Sequence, residues 1–297
     1  MKNVAVLLPT FNSEKYLSFQ LDSILNQLKV NVTVFISDDL SDDKTPLIIK
    51  EYKKRYPNKI KQIFLNKKHG SAGIHFYDLI INTDLNQYDF ISFSDHDDIW
   101  SAGKLFRAIS VIDSKYDGYS SSIYSFKNEQ IFTYIDKSQP QTEFDYFFQS
   151  PGPGSTFVLS YSLLDQFKDF MITNENAKKI FHHDWFLYAF ARSNNFNWFI
   201  DSWPSLLYRQ HDNNQEGANL GYKAILKRIN QIKSRWWLKE VELICKILQN
   251  KKSNNFFKRY LQNKKSRIRL IFVFYKLRRS FLESIYLLII ILFYNLL

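Results

Sequence analysis

Val4-Ala-Val-Leu-Leu8 is an unbroken apolar run closed by Pro9, the pattern of a strand buried on both faces in a parallel sheet. After Thr10-Phe-Asn-Ser-Glu14 the period changes. Leu17, Leu21, Ile24, Leu25 and Leu28 share one face of a helix, with Ser13 as candidate N-cap. Val32 to Ser37 is a second apolar strand, ending in Asp38-Asp39, and Thr45-Pro46 opens a helix through Leu47, Ile48 and Tyr52. A third strand over Ile60 to Leu65, a third helix over Gly70 to Ile81 and a fourth strand over Phe90 to Ser94 follow, the last running into Asp95. Such alternation predicts an α/β fold with a mostly parallel, doubly wound sheet, whose ligands bind beyond the carboxyl ends of the strands. Both acidic clusters, at 38–39 and 95–98, fall at such ends. Residues 118 to 180, which include Pro151-Gly-Pro-Gly-Ser155, mix short strands and loops that the pattern does not order.

Composition adds little until charge is placed along the chain. At 297 residues, 45% hydrophobic and 23% charged, the chain is neither disordered nor fibrous. Aromatics reach 17%, enough for a sugar-lined cleft or a membrane interface, and equally for a core. Cys245 stands alone, which excludes an internal disulfide and a cysteine-based zinc site and favours a reducing, cytoplasmic location. The apolar run at Val4 to Leu8 is too short for a signal peptide.

The net charge of +11 conceals two regions: residues 223 to 279 hold 18 Lys and Arg against Glu240 and Glu242, and the remainder is mildly acidic. Residues 1–222 are therefore expected to form one α/β domain and 223–297 a basic helical extension. Its last eighteen residues, Ser280 to Leu297, are nearly all apolar, with Glu283 the one charge. From Ser284 the run would measure about 21 Å as a helix, short of the ~30 Å hydrocarbon core. Arg278 and Arg279 precede it as they would a helix anchored at a cytoplasmic membrane face. Burial against protein and a homo-oligomer contact are the alternatives.

The strongest chemical signal is Ser94-Asp95-His-Asp97-Asp98-Ile-Trp100. Three carboxylates this close repel one another unless a cation or strong donors sit among them, and a hard divalent ion holding a diphosphate suits them. The bland alternative is a solvated acidic turn. Asp38 and Asp39 could accept from a ribose or a pyrimidine imide, or simply cap the next turn. His182-His183-Asp184-Trp185 opens another apolar helical pattern, in which Asp184 is either a general base or an N-cap. Arg209 and His211, in Tyr208-Arg-Gln-His211, could clamp a phosphate or ligate a metal. No Walker loop, Gly-x-Gly-x-x-Gly or Gly-x-Ser-x-Gly is present.

Taken in order, Val4–Asn12, Ser37–Thr45, Asn66–Phe76, Ser94–Leu105, His182–Trp185 and Tyr208–Gly217 resemble a family 2 glycosyltransferase of the GT-A fold, in its bacterial rhamnosyltransferase-like branch. The resemblance covers roughly residues 1 to 220. It implies inverting transfer from a nucleoside diphosphate sugar, dTDP-rhamnose or a UDP-hexose, to a glycan or lipid-linked acceptor in cell-surface polysaccharide synthesis. Pro9, Thr10, Asp38 and Asp39 would hold the base and ribose, Asp39 being the base contact. Asp95 and Asp97 would match the family's Asp-x-Asp and bind ribose and Mg²⁺ or Mn²⁺. Asp184 would match the catalytic base, with Arg209 or His211 assisting the diphosphate. Leu40 departs from the Gly or Asn usual in the turn after Asp39. The Gln-x-x-Arg-Trp motif of processive enzymes is missing around Ser234-Arg-Trp-Trp237, so transfer of a single sugar is expected.

The basic tail predicts docking at the anionic inner face of the plasma membrane, since each Lys or Arg near such a surface contributes about 1 kcal/mol. A nucleic-acid-binding protein would show basic and aromatic residues interleaved in a recognised module, and none is seen, so no nucleic acid is expected as partner. A nucleotidyltransferase would carry a glycine-rich basic loop after the first strand, where Thr10-Phe-Asn-Ser-Glu14 stands.

Overall fold

The computed structural model describes residues 1–64, 68–127, 130–210, 236–248 and 251–296. They form two compact units. The first comprises 1–138, 152–184 and 196–212. The second comprises 139–151, 185–195 and the C-terminal helices, so two segments from within the first 222 residues group with the tail.

In the first unit the expected alternation is present: β1 (Lys2–Thr10), α1 (Leu17–Leu25), β2 (Val30–Asp38), α2 (Thr45–Arg55), β3 (Ile60–Gln62), α3 (Ala72–Asn82) and β4 (Phe90–Phe93). β1 pairs in parallel with both β2 and β4, and its residues from Val4 to Thr10 are buried. A central strand without polar alternation has this environment. The apolar stripe of α1 buries Leu17, Leu21 and Ile24 in the same core as Val4, Val6, Leu8, Val34 and Ile36. Each such side chain contributes about 1.5–3 kcal/mol through its removal from water.

The unordered middle resolves into a sheet extension. β6 (Gly118–Ser121), β9 (Val158–Ser160) and β10 (Trp198–Asp201) complete a seven-stranded sheet in the order β10-β6-β9-β4-β1-β2-β3. Short β9 runs antiparallel between β4 and β6, and the other pairings in this sheet are parallel. A second sheet, β5 (Ile99–Trp100), β11 (Leu206–Arg209), β7 (Ile123–Lys127) and β8 (Gln130–Ile135), brings β11 beside the loop after β4. α4 (Lys104–Lys115), α5 (Tyr161–Thr173) and the start of α6 (His183–Ser193) complete the unit.

Ser13 is not the N-cap of α1. Tyr16 takes that position without a side-chain cap, and the Ser13 hydroxyl turns back to Phe11. Leu40 has φ +58°, a left-handed conformation that costs a non-glycine residue about 1–2 kcal/mol. That is a physical reason for a Gly or Asn in this turn, and here a leucine bears the strain.

The second unit holds α7 (Trp236–Leu248), α8 (Lys251–Phe256), a π-helical turn, α9 (Lys264–Ile268), a 3₁₀ stretch over Arg269–Lys276 and α10 (Phe281–Leu296). Arg279, expected as part of a membrane-facing flank with Arg278, is turned inward instead. The Arg279 side chain is 4% exposed and pairs with the fully buried Asp145 at 3.1 Å, while Arg278 donates to Gln149 and lies beside Glu283. Along α10, Leu287 and Ile291 are buried, whereas Phe281, Leu282, Tyr286 and Ile289 are exposed. Among the described residues no helix is long and apolar enough to cross a membrane.

Candidate active site

The register of the sheet gathers most of the sequence-derived residues at its carboxyl edge. Thr10 stands opposite Asp38 and donates to it at 2.9 Å, and Asp39 N–H donates to the Thr10 carbonyl. Asp38 also accepts from the Ser41 amide and hydroxyl, so its carboxylate ties the turn after β2. One strand over, Ser94 N–H donates to the Leu7 carbonyl and leads into Asp95.

Asp39 is buried and heavily used. One carboxylate oxygen accepts from the His69 amide at 2.6 Å and His69 Nδ1 at 2.8 Å, the other from the Gly70 amide at 3.0 Å. Burial alone would raise its pKa, but these donors outweigh burial and hold it below the ordinary carboxylate value. On its far side His69 Nε2 meets Asp78 at 3.1 Å, and Lys178 pairs with Asp78 at 2.5 Å.

Asp39, His69 and His75 bring ligand atoms within 4.8 Å, a composition that suggests a metal. The two imidazoles, however, stack 4.6 Å apart with planes inclined by 2°. A ring nitrogen binds an ion through a lone pair in the ring plane, and one ion cannot lie in two stacked parallel planes. Asp39, His69 and Asp78 instead form a hydrogen-bonded relay, against which the His75 ring is stacked. His75 stays neutral beside it, since burial and then the neighbouring His69 pull its pKa down to about 4.

The loop after β4 holds the acidic cluster, with Asp97 and Asp98 buried. Asp98 accepts from the Arg209 amide at 3.2 Å, and its other oxygen has no hydrogen-bond partner among the described residues. Burial, then the negative fields of Asp97 and Asp184, push Asp95 up to about 7, so the structure brings Asp184 into the electrostatic range of this loop. Lys104, fully buried, lies 3.1 Å over the Trp100 ring and donates to the Ser155 carbonyl; burial pulls its pKa well below the ordinary lysine value, against the opposing fields of Asp98 and Asp95. Arg209 donates through Nε to the Asp97 carbonyl, and its guanidinium lies 4.5 Å from the Tyr16 ring and 4.4 Å from Phe126. His211 lies outside the described residues.

Asp184 occupies the first turn of α6. His183 beside it is buried and stacks on Phe76 at 4.1 Å, and burial draws its pKa down to about 4. Two glycines permit this approach. A Cβ on Gly73 would collide with the Phe181 carbonyl, and one on Gly154 would lie 3.2 Å from Asp184 Cβ. The Pro151–Ser155 loop thus seats the helix start that carries Asp184.

The acidic loop fits a hard divalent cation. Its side-chain donors are carboxylate oxygens, one buried oxygen of Asp98 is unpartnered, and the burial and mutual repulsion that raise Asp95 would be offset by a positive ion. Sequence reasoning assigned no role to His69, Asp78, Lys178 or Lys104. His69 lies 30 residues from Asp39 and Lys178 lies 100 from Asp78, and the only local sign of the relay is His69-Gly70 within a segment already singled out.

The model for glycosyl transferase family 2 matches residues 5–173. A dTDP-rhamnosyl transferase, RfbG of Shigella flexneri, is 42% identical over 286 residues, covering 95% of this chain and 98% of that protein. A β-1,3-glucosyltransferase, WfgD of Escherichia coli, is 28% identical over 55% of this chain and 62% of its own. Among solved structures, Staphylococcus aureus TarS 1–349 with UDP aligns at TM-score 0.57 and 17% identity, covering 92% of this chain and 75% of that one. A mannosyltransferase of Pyrobaculum calidifontis, in complex with GDP-Man and Mn²⁺, aligns at 0.51 and 14% identity, covering 89% and 71%. These neighbours share the GT-A architecture that the sheet order describes. Matched by the family model over more than half its length and by a 42% identical relative over nearly all of it, the chain belongs to glycosyl transferase family 2.

Proposed function

We propose that this glycosyltransferase is inverting and moves one sugar from dTDP-rhamnose, or as the second choice a UDP-hexose, to a hydroxyl of a glycan or lipid-linked acceptor in cell-surface polysaccharide synthesis. The observation that carries the reading is the gathering of buried Asp97 and Asp98 with Asp95 in the loop after β4, within electrostatic reach of Asp184 at the start of α6. Similarity to a dTDP-rhamnosyl transferase along nearly the whole chain favours the rhamnose donor. In this reading Pro9, Thr10, Asp38 and Asp39 hold the base and ribose. Asp184 takes the acceptor hydroxyl's proton as that oxygen attacks the anomeric carbon opposite the departing diphosphate. Arg209, fixed between two rings beside Asp97, steadies the donor's negative charge. Mg²⁺ or Mn²⁺, held by Asp95 and Asp97 with His211 as the expected further ligand, would neutralise the diphosphate.

The donor site is tested by thermal unfolding with dTDP, UDP and their sugars, with and without Mn²⁺. A nucleotide at 100 times its Kd adds about 2.7 kcal/mol to stability. Metal-dependent stabilisation by a dTDP or UDP compound, lost in Asp97→Ala, is expected; no response from the wild-type protein would sink the assignment.

The same reading has the enzyme meet its lipid-linked acceptor at the anionic inner face of the plasma membrane. Phe272, Tyr275, Phe281, Leu282, Tyr286 and Ile289 are 53–77% exposed in the second unit, and Lys265 and Arg269 are exposed nearby in sequence. Apolar and basic groups together suit the headgroup boundary of an anionic bilayer. Co-sedimentation with phosphatidylglycerol vesicles, weaker with pure phosphatidylcholine and weaker again in Phe272→Ser with Leu282→Ser, is the expected result. Equal binding to both vesicles, or none to either, would reject membrane docking.

A further inference from the structure

The residues around Asp39 form a chain of buried groups. The His69 and Asp78 side chains are 1% and 5% exposed, and Asp39 is 4% exposed. His69 faces an Asp39 oxygen through Nδ1 at 2.8 Å and an Asp78 oxygen through Nε2 at 3.1 Å. Ionised carboxylates only accept, so the ring satisfies both neighbours when it donates from both nitrogens. Lys178 closes the chain on the outer oxygen of Asp78 at 2.5 Å. Asp39, His69, Asp78 and Lys178 thus form one continuous run of paired polar side chains.

The lone pairs of Asp39 can be counted. A carboxylate offers about four acceptor positions, two on each oxygen. The His69 amide and His69 Nδ1 fill both positions on Oδ1, and the Gly70 amide fills one on Oδ2. Among the described residues one acceptor position remains, on Oδ2.

On the reading that Asp39 meets the donor's base, we propose that His69, backed by Asp78 and Lys178, is a positioning residue that orients Asp39 and leaves it one acceptor site, matched to the single imide N–H of uracil or thymine. Cytosine turns an acceptor nitrogen to the same place, which an ionised carboxylate repels. Guanine presents two adjacent donors that need both carboxylate oxygens, and Oδ1 is already filled. The relay thus sets base selectivity by rationing the carboxylate's lone pairs. His69 acts through Asp39 without touching the donor.

The test is the dissociation constant of dTDP, UDP, CDP and GDP, measured by calorimetry with Mg²⁺ on the wild type and on His69→Leu, His69→Asn and Lys178→Met. The wild type is expected to prefer dTDP and UDP. Because hydrogen bonds to charged groups contribute roughly a factor of 10–100 each, His69→Leu is expected to weaken dTDP and UDP about tenfold or more and CDP by less than about threefold. Donor KM should rise with the dissociation constant while kcat falls by a smaller factor. His69→Asn, whose amide can still donate to Asp39, is expected to regain most of the preference. Lys178→Met, altering a half-exposed outer group, should weaken dTDP and UDP only by about two- to fivefold, and it serves if the His69 variants fail to fold.

Equal weakening of all four nucleotides in folded His69→Leu, or an unchanged preference, would reduce His69 to packing and overturn the proposal alone. No nucleotide binding by the wild type would overturn both this proposal and the donor-site reading beneath it.

Discussion

Asp184→Asn is expected to lose about a thousandfold in kcat, the middle of the range for removing a positioned general base, while keeping its affinity for the donor nucleotide. Asparagine fills the same volume and preserves the helix start, but it has no basic oxygen to take the acceptor's proton. The seat of Asp184 should survive the change, because it is built from other groups: His183 packed on Phe76, and the close approach of Gly154. Donor affinity should hold or improve, since a negative charge that raises Asp95 has been removed. Single-turnover assays beside calorimetry separate the two effects. A kcat within about threefold of wild type would dismiss Asp184 as the base. Parallel loss of nucleotide binding would show instead that the substitution had damaged the donor site.

What could be read from the sequence follows from how local its signals are. The strands β1, β2 and β4 announce themselves as apolar runs because each is buried on both faces, and the acidic clusters are visible because their members are adjacent. β9 escaped notice because it is three residues long and antiparallel within a parallel sheet. The Asp39 relay was invisible for another reason. His69 lies 30 residues from Asp39, and Lys178 lies 100 residues from Asp78, so only the folded chain brings them together. Local reading also misled. Arg278-Arg279 ahead of an apolar run has the look of a membrane flank, yet Arg279 finds its partner 134 residues back in the sequence. Leu40 marks the opposite case, a departure whose cost becomes plain only from its φ of +58°.

That long-range partner supports the largest stability effect expected in the second unit. Asp145, fully buried, accepts from Tyr188 Oη at 2.8 Å and from Arg279 Nη1 at 3.1 Å, with Arg192 Nη1 at 3.4 Å. Tyr188 and Arg192 lie on α6, the helix whose first turn carries Asp184, so one carboxylate fastens that helix and the approach to α10. Asp145→Ala removes the one carboxylate that the two guanidinium groups and the phenol share, leaving Arg192 to Gln141, Thr142 and Tyr188 and Arg279 to the Ser150 carbonyl. Breaking a buried pair in this way costs about 3–5 kcal/mol, because the remaining charge stays desolvated. Arg279→Met, which keeps the apolar stem and leaves Asp145 to Arg192 and Tyr188, is expected to cost less. The double variant should lose less than the two single losses combined, by about 0.5–3 kcal/mol, since both substitutions remove the same pair. Glu143→Gln is the control, because its ion pair with Lys276 is half-exposed and its loss should leave the midpoint unmoved. Urea unfolding of the four proteins measures all of this. Additive losses, or an Asp145→Ala midpoint no lower than that of Glu143→Gln, would mean that Asp145 does not hold the unit together.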